Sequence, residues 1–389
     1  MIDRIANPGS DRYSSAKKFG ELLSQELKND PHFYLFSPDE TTSNKLDAVF
    51  ESSARAWNLP QADWDLRESP NGRVIEMLSE NTLFATMVGH VLNGEQAMMT
   101  SYESFFSVIT SQLVQHIKFL KQSSSVSWRP KYPAINLLST STCWRQDHNG
   151  FSHQSPVLIS TLLSIPSNRV NCLFPVDDVS SEIAFNYMLA SKNVVNLTTF
   201  NKTDEPRWID SNHAAYQFEH GGASIFNFCS DDEPDFIFTA AGDIATREAI
   251  EAIKIIKQDW PEMRMRFIGI NALSYNAIGT TDNKMSSYIF NEMFTTDKPI
   301  IANFHGYAET LRTILSHYAA QDRLSVHGFS EEGSTTTPFE MLSLNHASRY
   351  DLALDLAKHC GRQDLVNKYQ QALADNSEYA TKFGTDCML

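Results

Sequence analysis

The 389-residue sequence has few cysteines, no long apolar run and no excess of positive charge. Its cysteines are scattered and odd in number, which excludes a disulfide framework and a cysteine-based zinc site: Cys143, Cys172, Cys229, Cys360 and Cys387. No apolar run approaches the roughly 20 residues that span a bilayer, so an integral membrane protein is excluded. The formal net charge of -15 argues against a nucleic-acid duplex or a membrane surface as partner, since both need clustered Lys and Arg.

Several motifs of nucleotide and hydrolase chemistry are also missing. There is no spaced-glycine dinucleotide fingerprint and no Gly-Lys-Ser/Thr phosphate loop. There is also no Gly-x-Ser-x-Gly elbow and no His-Glu-x-x-His pair. The N-terminal segment has no apolar core after a basic stretch, so we predict no secretory signal and a cytoplasmic location.

Short apolar runs alternate with helix-length patterns such as residues 102–120. The runs are typical of buried strands and lie at residues 33–36, 74–78, 134–138, 170–174, 194–197, 235–239, 266–270 and 299–304. Strands that alternate with helices predict an α/β protein with parallel sheets. At Pro338, a preceding threonine and a glutamate two residues later predict the start of a helix.

The chain divides into two α/β domains around a segment rich in Asp, Glu, Asn, Gly and Pro. We predict a first domain over residues 1–205, a linker over 206–232 and a second domain with a helical tail over 233–389. No internal repeat is visible.

Four polar segments follow predicted strands, where the carboxyl ends of parallel strands form a ligand crevice. They are residues 37–45, 79–81, 101–106 and 144–154. Spacing alone leaves a structural alternative for each: a capped helix, a helix-dipole carboxylate, core aromatics and a polar loop. The last segment is the most unusual, because it holds His148 and His153, which could transfer protons or bind a metal.

Together these segments resemble the phosphoketolase family. The matching stretches run in the family's order through most of the chain: Pro38-Asp39-Glu40-Thr41, Tyr102-Glu103-Ser104-Phe105, Trp144 to Gln154, Ala241-Gly242-Asp243, Phe294 to Pro299, His305-Gly306-Tyr307 and Glu331 to Phe339. The resemblance implies that residues 1–205 bind the pyrimidine of thiamine diphosphate. It also implies that 233–389 form the transketolase-like C-terminal domain.

The resemblance assigns the cofactor-binding residues of this half. Glu80 would be catalytic, with its carboxyl group hydrogen-bonded to the pyrimidine N1′, while Tyr102 and Phe105 would flank the ring. We expect no metal ligand in this chain. Magnesium and the cofactor's diphosphate would be held by a separate partner chain, which carries the domain that this sequence lacks.

The resemblance also implies substrate residues. His148 and His153 match the family's catalytic proton-transfer histidines, and Gln146 and Asn149 lie in a substrate loop. Ser43, Lys45 and Lys202 match positions near phosphate. All seven residues are expected to contact a ketose or ketose phosphate. Two departures stand out. Lys45 replaces the family's usual arginine, which exchanges a bidentate fork for a point charge, and Asn81 replaces the usual histidine after Glu80.

The sequence therefore supports one leading function and two alternatives. The leading hypothesis is a subunit of a split, phosphoketolase-like enzyme that cleaves a ketose phosphate and transfers a two-carbon unit, with phosphate as acceptor giving acetyl phosphate. One alternative is a split transketolase-like lyase or ligase of specialised metabolism, active on an unphosphorylated ketose or keto acid. The other is a non-catalytic regulatory subunit of a full-length phosphoketolase.

Overall fold

The computed structural model describes residues 5–387. The prediction of no secretory signal was made from the N-terminal residues, and part of that segment lies outside this range. Strands β1–β17 are, in order, Arg12–Tyr13, Tyr34–Ser37, Arg55–Ala56, Glu68–Ser69, Val74–Glu76, Ala97–Tyr102, Ile135–Thr140, Val170–Leu173, Val195–Thr199, Glu205–Pro206, Ala223–Ile225, Phe236–Ala241, Met265–Ile270, Ala272–Ser274, Ala277–Ile278, Ile300–Tyr307 and Leu324–Phe329. Helices α1–α12 are, in order, Ser15–Asn29, Glu80–Leu92, Thr110–Ser123, Val157–Ser164, Asp178–Ala190, Ser211–Glu219, Asp243–Asp259, Ser287–Phe294, Ala308–Leu315, Pro338–Leu344, Arg349–His359 and Gln363–Phe383.

The chain folds as two compact units. The first comprises residues 1–141 and 165–215, and the second comprises 142–164 and 216–389. All eight predicted strands are present, each within three residues of its expected bounds. The predicted α/β class, with a parallel sheet in each half of the chain, is confirmed.

The first unit contains a parallel sheet in the order β8-β9-β7-β6-β2-β5-β3-β4. The start of helix α1 is explained by its sequence, because the Ser14 side chain caps the N-terminus by accepting a hydrogen bond from the Lys17 amide. Its apolar residues Phe19, Leu23 and Leu27 recur at helical spacing and are fully buried. The strand order brings the carboxyl ends of β2, β5, β6 and β7 to one edge of this sheet.

The second unit contains a sheet in the order β11-β13-β12-β16-β17, in which only β11 runs antiparallel. Helices α7 and α9 pack on it, and α11 packs on α7 and α12. Helix α10 begins at Pro338 as predicted. However, the Thr337 side chain does not cap it, because its hydroxyl donates to the Asp386 carboxylate instead.

Residues 142–164 belong to the second unit, although they follow a strand of the first. The anchor is Trp144, which is buried among Ile244, Phe329 and Met341. Its indole Nε1–H donates a hydrogen bond of 2.9 Å to the carbonyl oxygen of His305. A buried indole with a satisfied N–H contributes a large apolar contact area, which explains why this loop folds with the second core.

Two stretches differ from the sequence patterns. Residues 206–232 contain α6 and β11, so the segment predicted as a linker contributes a strand to a sheet. The helix expected over 102–120 starts later, because Tyr102 ends β6 and a 3-10 turn, Phe105–Ile109, precedes α3.

Among residues 5–387, Cys172, Cys229, Cys360 and Cys387 form no disulfide. Within residues 5–387, no helix combines the length and the apolar character needed to cross a bilayer.

Candidate functional site

The loop after β2 contains a buried carboxylic acid. Glu40 is 8% exposed, and its Oε2 accepts a hydrogen bond of 3.0 Å from the amide of Tyr102, at the end of the neighbouring strand β6. Asp39, the preceding residue, has a φ of 113°, a backbone conformation in the left-handed region that L-residues rarely adopt. The loop is therefore held in a strained conformation that turns Glu40 toward the edge of the sheet.

The surroundings of Glu40 favour its neutral form. Burial raises the pKa of Glu40 to about 8, the negative charges of Asp39 and Glu80 act in the same direction, and the Tyr102 amide opposes them. Glu40 is thus both strongly buried and electrostatically coupled to Glu80. A glutamate that keeps its proton near pH 7 is typical of functional sites.

Replacing Glu40 with glutamine should change how the stability of the isolated chain depends on pH. Because the folded-state pKa is raised, the contribution of Glu40 is fully present below pH 4.5 and is lost as the pH rises through about 8. From these two values we expect the wild-type protein to lose on the order of 4 kcal/mol between pH 5 and pH 9 relative to Glu40→Gln. Urea unfolding at both pH values measures the difference, and parallel profiles would contradict the assignment.

Glu80 stands at the first position of α2. The Ser79 side chain caps this helix by accepting from the Thr82 amide, and the Ser101 hydroxyl lies 3.5 Å from Oε1 of Glu80. A carboxylate in the first turn is stabilised by the unpaired amides and by the helix dipole. Glu80 is half-buried.

Two aromatic rings lie beside this acid. Tyr102 and Phe105 are stacked, with ring centroids 5.8 Å apart and an interplanar angle of 10°. The helix that starts at Glu80 packs against the 3-10 turn that starts at Phe105. A parallel aromatic pair of this kind offers a flat apolar wall for a planar heterocycle.

The third group of side chains could bind an anion. The Tyr102 hydroxyl donates to Ser43 Oγ over 3.2 Å, and Lys202 Nζ lies 5.3 Å from the Tyr102 ring centre. Burial lowers the pKa of Lys202, Glu40 opposes this shift, and the nearby positive charge of Lys45 lowers the pKa further. The positive charges of Lys45 and Lys202 repel each other in the free protein, whereas both would attract a bound phosphate.

The remaining predicted residues lie in the loop of the second unit. Asn149 Nδ2 donates to Gln146 Oε1 over 2.6 Å, and the Gln154 side chain holds the Gln146 carbonyl at 2.9 Å. Gln146 Nε2 is buried without a hydrogen-bond partner among residues 5–387. An unsatisfied buried amide is a group that a ligand could satisfy.

The same loop contains the two histidines predicted to transfer protons. His148 is exposed, with its Nδ1 4.0 Å from the Asp147 carboxylate. His153 Nδ1 lies 2.8 Å from Ser152 Oγ, a contact that orients the ring.

The structure therefore brings together Ser43, Lys45, Glu80, Tyr102, Phe105 and Lys202 within the first unit, and Gln146, His148, Asn149 and His153 within the second. The sequence reasoning assigned no role to Glu40, although an acidic residue directly after a buried parallel strand was a signal for one.

Comparisons with known proteins identify the family. Residues 17–191 match the family model of D-xylulose 5-phosphate/D-fructose 6-phosphate phosphoketolase, and residues 202–388 match the model of its C-terminal domain. A probable phosphoketolase of Rhodopseudomonas palustris is 37% identical over 361 residues, which cover 90% of this chain and 45% of the relative. A probable phosphoketolase of Thermosynechococcus vestitus is 35% identical over 97% of this chain and 48% of the relative.

Solved structures share the fold at low sequence identity. A transketolase mutant from Pichia stipitis aligns with a TM-score of 0.69 and 15% identity, over 92% of this chain and 47% of that one. A split-gene transketolase, described as an inactive β4 tetramer, aligns with a TM-score of 0.60 and 14% identity, over 89% of this chain and 97% of that one. The chain thus belongs to the phosphoketolase family and spans about half the length of the curated relatives that it matches.

Proposed function

We propose that the chain is one subunit of a split, thiamine-diphosphate-dependent phosphoketolase. It would cleave a ketose phosphate and transfer a two-carbon unit to inorganic phosphate, which gives acetyl phosphate. In this proposal residues 1–205 bind the cofactor's pyrimidine, 233–389 form the C-terminal domain, and a separate chain holds the diphosphate and magnesium. The carrying observation is the group formed by Glu80, Tyr102 and Phe105, a carboxyl beside a stacked aromatic pair.

The residues of the first unit fit a pyrimidine. Thiamine diphosphate, when bound, supplies the nucleophilic carbon that attacks the ketose carbonyl. Glu80 would hold a proton in a hydrogen bond to the pyrimidine N1′, and the half-buried carboxyl group is accessible for this contact. Tyr102 and Phe105 would stack on the ring and exclude water from one side of it.

The neutral form of Glu40 supports a role next to Glu80. A neutral Glu40 adds no negative charge beside Glu80, so only one carboxyl group would exchange a proton with the pyrimidine. Glu40 also holds the amide of Tyr102 and thereby fixes the backbone at the base of the aromatic wall. We assign Glu40 as a positioning residue.

The substrate residues favour a phosphorylated ketose over the unphosphorylated alternative. Lys202 lies 5.3 Å from the Tyr102 ring centre and is coupled to the positive charge of Lys45. Two positive charges suit a phosphate group better than the neutral hydroxyls of an unphosphorylated ketose. His148 and His153 would take and return protons during cleavage and the loss of water. Gln146 and Asn149 would donate hydrogen bonds to sugar hydroxyls.

Isothermal titration tests the shared cofactor site. Thiamine diphosphate with magnesium is titrated into this chain alone, and then into its mixture with a candidate partner that matches the other half of phosphoketolases. We expect binding only in the mixture, because this chain contributes the pyrimidine side alone. If neither sample binds the cofactor, the enzymatic proposal fails and the regulatory-subunit alternative takes its place.

A further inference from the structure

The loop that carries the predicted substrate residues is bound to another segment of the second unit. We call residues 144–154 the substrate loop, and its predicted substrate residues are Gln146, His148, Asn149 and His153. The other segment, residues 330–337, lies between β17 and α10, and we call it the 330–337 segment. The proposed chemistry uses neither this segment nor Gln154, the last residue of the loop.

The side chain of Gln154 joins the loop to the segment. Gln154 is buried, with 2% of the residue exposed, and its Nε2 donates hydrogen bonds of 2.9 Å to the carbonyl oxygens of Gln146 and Ser334. A primary amide has two N–H groups, so these two carbonyls use both of its donors. One buried amide therefore ties the first substrate residue of the loop to the 330–337 segment.

The backbones of the loop and the segment also approach each other closely. The Thr336 amide donates a hydrogen bond of 3.0 Å to the carbonyl oxygen of Asp147. Gly150 has a φ of 73°, and a Cβ built there would lie 3.7 Å from Ser334 Oγ. The segment thus holds the loop at two successive carbonyls, those of residues 146 and 147, immediately before His148.

The 330–337 segment is itself held at both ends. Asn345 is 2% exposed, and its Oδ1 accepts hydrogen bonds from the amides of Ser330 over 2.8 Å and Glu332 over 3.3 Å. Asn345 Nδ2 also donates to the Glu332 carbonyl over 2.7 Å. At the other end, the Thr337 hydroxyl donates to the Asp386 carboxylate. A segment that is fixed at both ends is a rigid support for the loop that binds to it.

This support acts on a residue that has a free donor. Gln146 Oε1 accepts a hydrogen bond of 2.6 Å from Asn149 Nδ2, whereas Gln146 Nε2 is buried without a partner among residues 5–387. Because Gln154 holds the Gln146 carbonyl and Asn149 occupies its Oε1, the side chain keeps one orientation, in which Nε2 remains available to a ligand. A donor held in one orientation loses little freedom when it binds a sugar hydroxyl.

We propose that Gln154 is a positioning residue for the ketose, which fixes the substrate loop on the 330–337 segment in the conformation that binds the sugar. This inference rests on the proposed function, because it takes the substrate loop as the site of the ketose phosphate. Gln154 itself would touch neither substrate nor cofactor, since both of its donors are used inside the chain. Its loss should therefore change the KM for the sugar and leave cofactor binding unchanged.

Gln154→Met tests the proposal, because methionine is an unbranched side chain of similar volume without an N–H donor. For the enzyme assembled with its partner, we expect the KM for the ketose phosphate to rise about tenfold or more and kcat/KM to fall about 10²-fold, since small displacements of positioning groups cost this much. A merely structural role would reduce the amount of active enzyme, which lowers the apparent kcat and leaves KM unchanged.

Gln217→Met is the matched control. Gln217 is a fully buried glutamine of α6 in the same unit, and its Nε2 donates a hydrogen bond of 3.2 Å to the Gly269 carbonyl. Its replacement should leave KM at the wild-type value. Gln154→Asn is a milder second variant, which keeps the amide but shortens the side chain by one methylene; it should lose one of the two hydrogen bonds and raise KM in the same direction.

Hydrogen exchange of the isolated chain tests the contact without partner or cofactor. The Thr336 amide should exchange about tenfold faster or more in Gln154→Met than in the wild-type protein, because its bond to Asp147 depends on the position of the loop. An unchanged exchange rate would overturn the inference.

The kinetic results distinguish this inference from the proposed function. If the wild-type mixture is active and Gln154→Met keeps the wild-type KM, Gln154 does not position the substrate and the split enzyme stands. If the wild-type mixture does not cleave a ketose phosphate, the proposed function fails and this inference fails with it, even where Thr336 exchanges faster.

Discussion

Replacing Glu80 with glutamine is expected to lower kcat of the assembled enzyme by a factor of about 10² to 10⁴. Glutamine keeps the size of the side chain and its hydrogen bond with the Ser101 hydroxyl, but it cannot hold and return a proton at the pyrimidine N1′. The KM for the ketose phosphate should change little, since Glu80 is proposed to touch the cofactor and not the sugar. Steady-state kinetics of the chain mixed with its partner measure both constants.

Glu182→Gln provides the control for this variant. Glu182 lies in the same unit, in an ion pair of 2.8 Å with Lys18, and the proposed chemistry does not use it. Its replacement should leave kcat unchanged. A Glu80→Gln enzyme with wild-type kcat would falsify the assignment of Glu80 as the catalytic acid.

Glu248→Gln should destabilise the second unit by about 3 to 5 kcal/mol. The Glu248 carboxylate is fully buried in α7 and accepts hydrogen bonds of 2.8 Å from Nε and Nη2 of Arg349 and 3.0 Å from Nε of Arg247. Burial alone would raise the pKa of Glu248, but the bonds from Arg349 and the two positive charges outweigh it and hold the pKa at about 2. Glutamine removes the buried negative charge to which both guanidinium groups donate hydrogen bonds.

Thermal denaturation followed by circular dichroism measures this loss as a Tm lower by roughly 10 °C. Glu251→Gln is the matched control, because Glu251 lies one turn later on α7 in an exposed pair with Lys254 and should shift the Tm by less than about 2 °C. Equal shifts for the two variants would show that burial of the Glu248 pair adds nothing to stability.

Periodicity along the sequence was sufficient for the α/β class and for eight of the strands, but it did not predict α6 or β11. The apolar runs at 33–36 and 134–138 become β2 and β7, because short β-rich apolar runs between polar turns fit only a strand buried on both faces. The pattern over residues 102–120 predicted the start of its helix too early. Aromatic residues at helical spacing also occur where a strand ends and a 3-10 turn follows, as at the end of β6.

The roles of the candidate site residues stay a prediction from the family resemblance. The structure adds that the rings of Tyr102 and Phe105 are stacked. Glu40 was assigned no role, because its raised pKa depends on burial under the Tyr102 backbone, which spacing in a sequence does not reveal.

The sequence by itself determined the α/β class, the phosphoketolase resemblance and the residue types of the candidate site, because these follow from local periodicity and contiguous motifs. Only the tertiary structure decided that residues 142–164 fold with the second unit and that Glu40 is buried and electrostatically coupled to Glu80. These features arise from contacts between residues far apart in the chain, such as Trp144 with Phe329. Burial and packing at such contacts depend on the whole fold, and no local pattern encodes them.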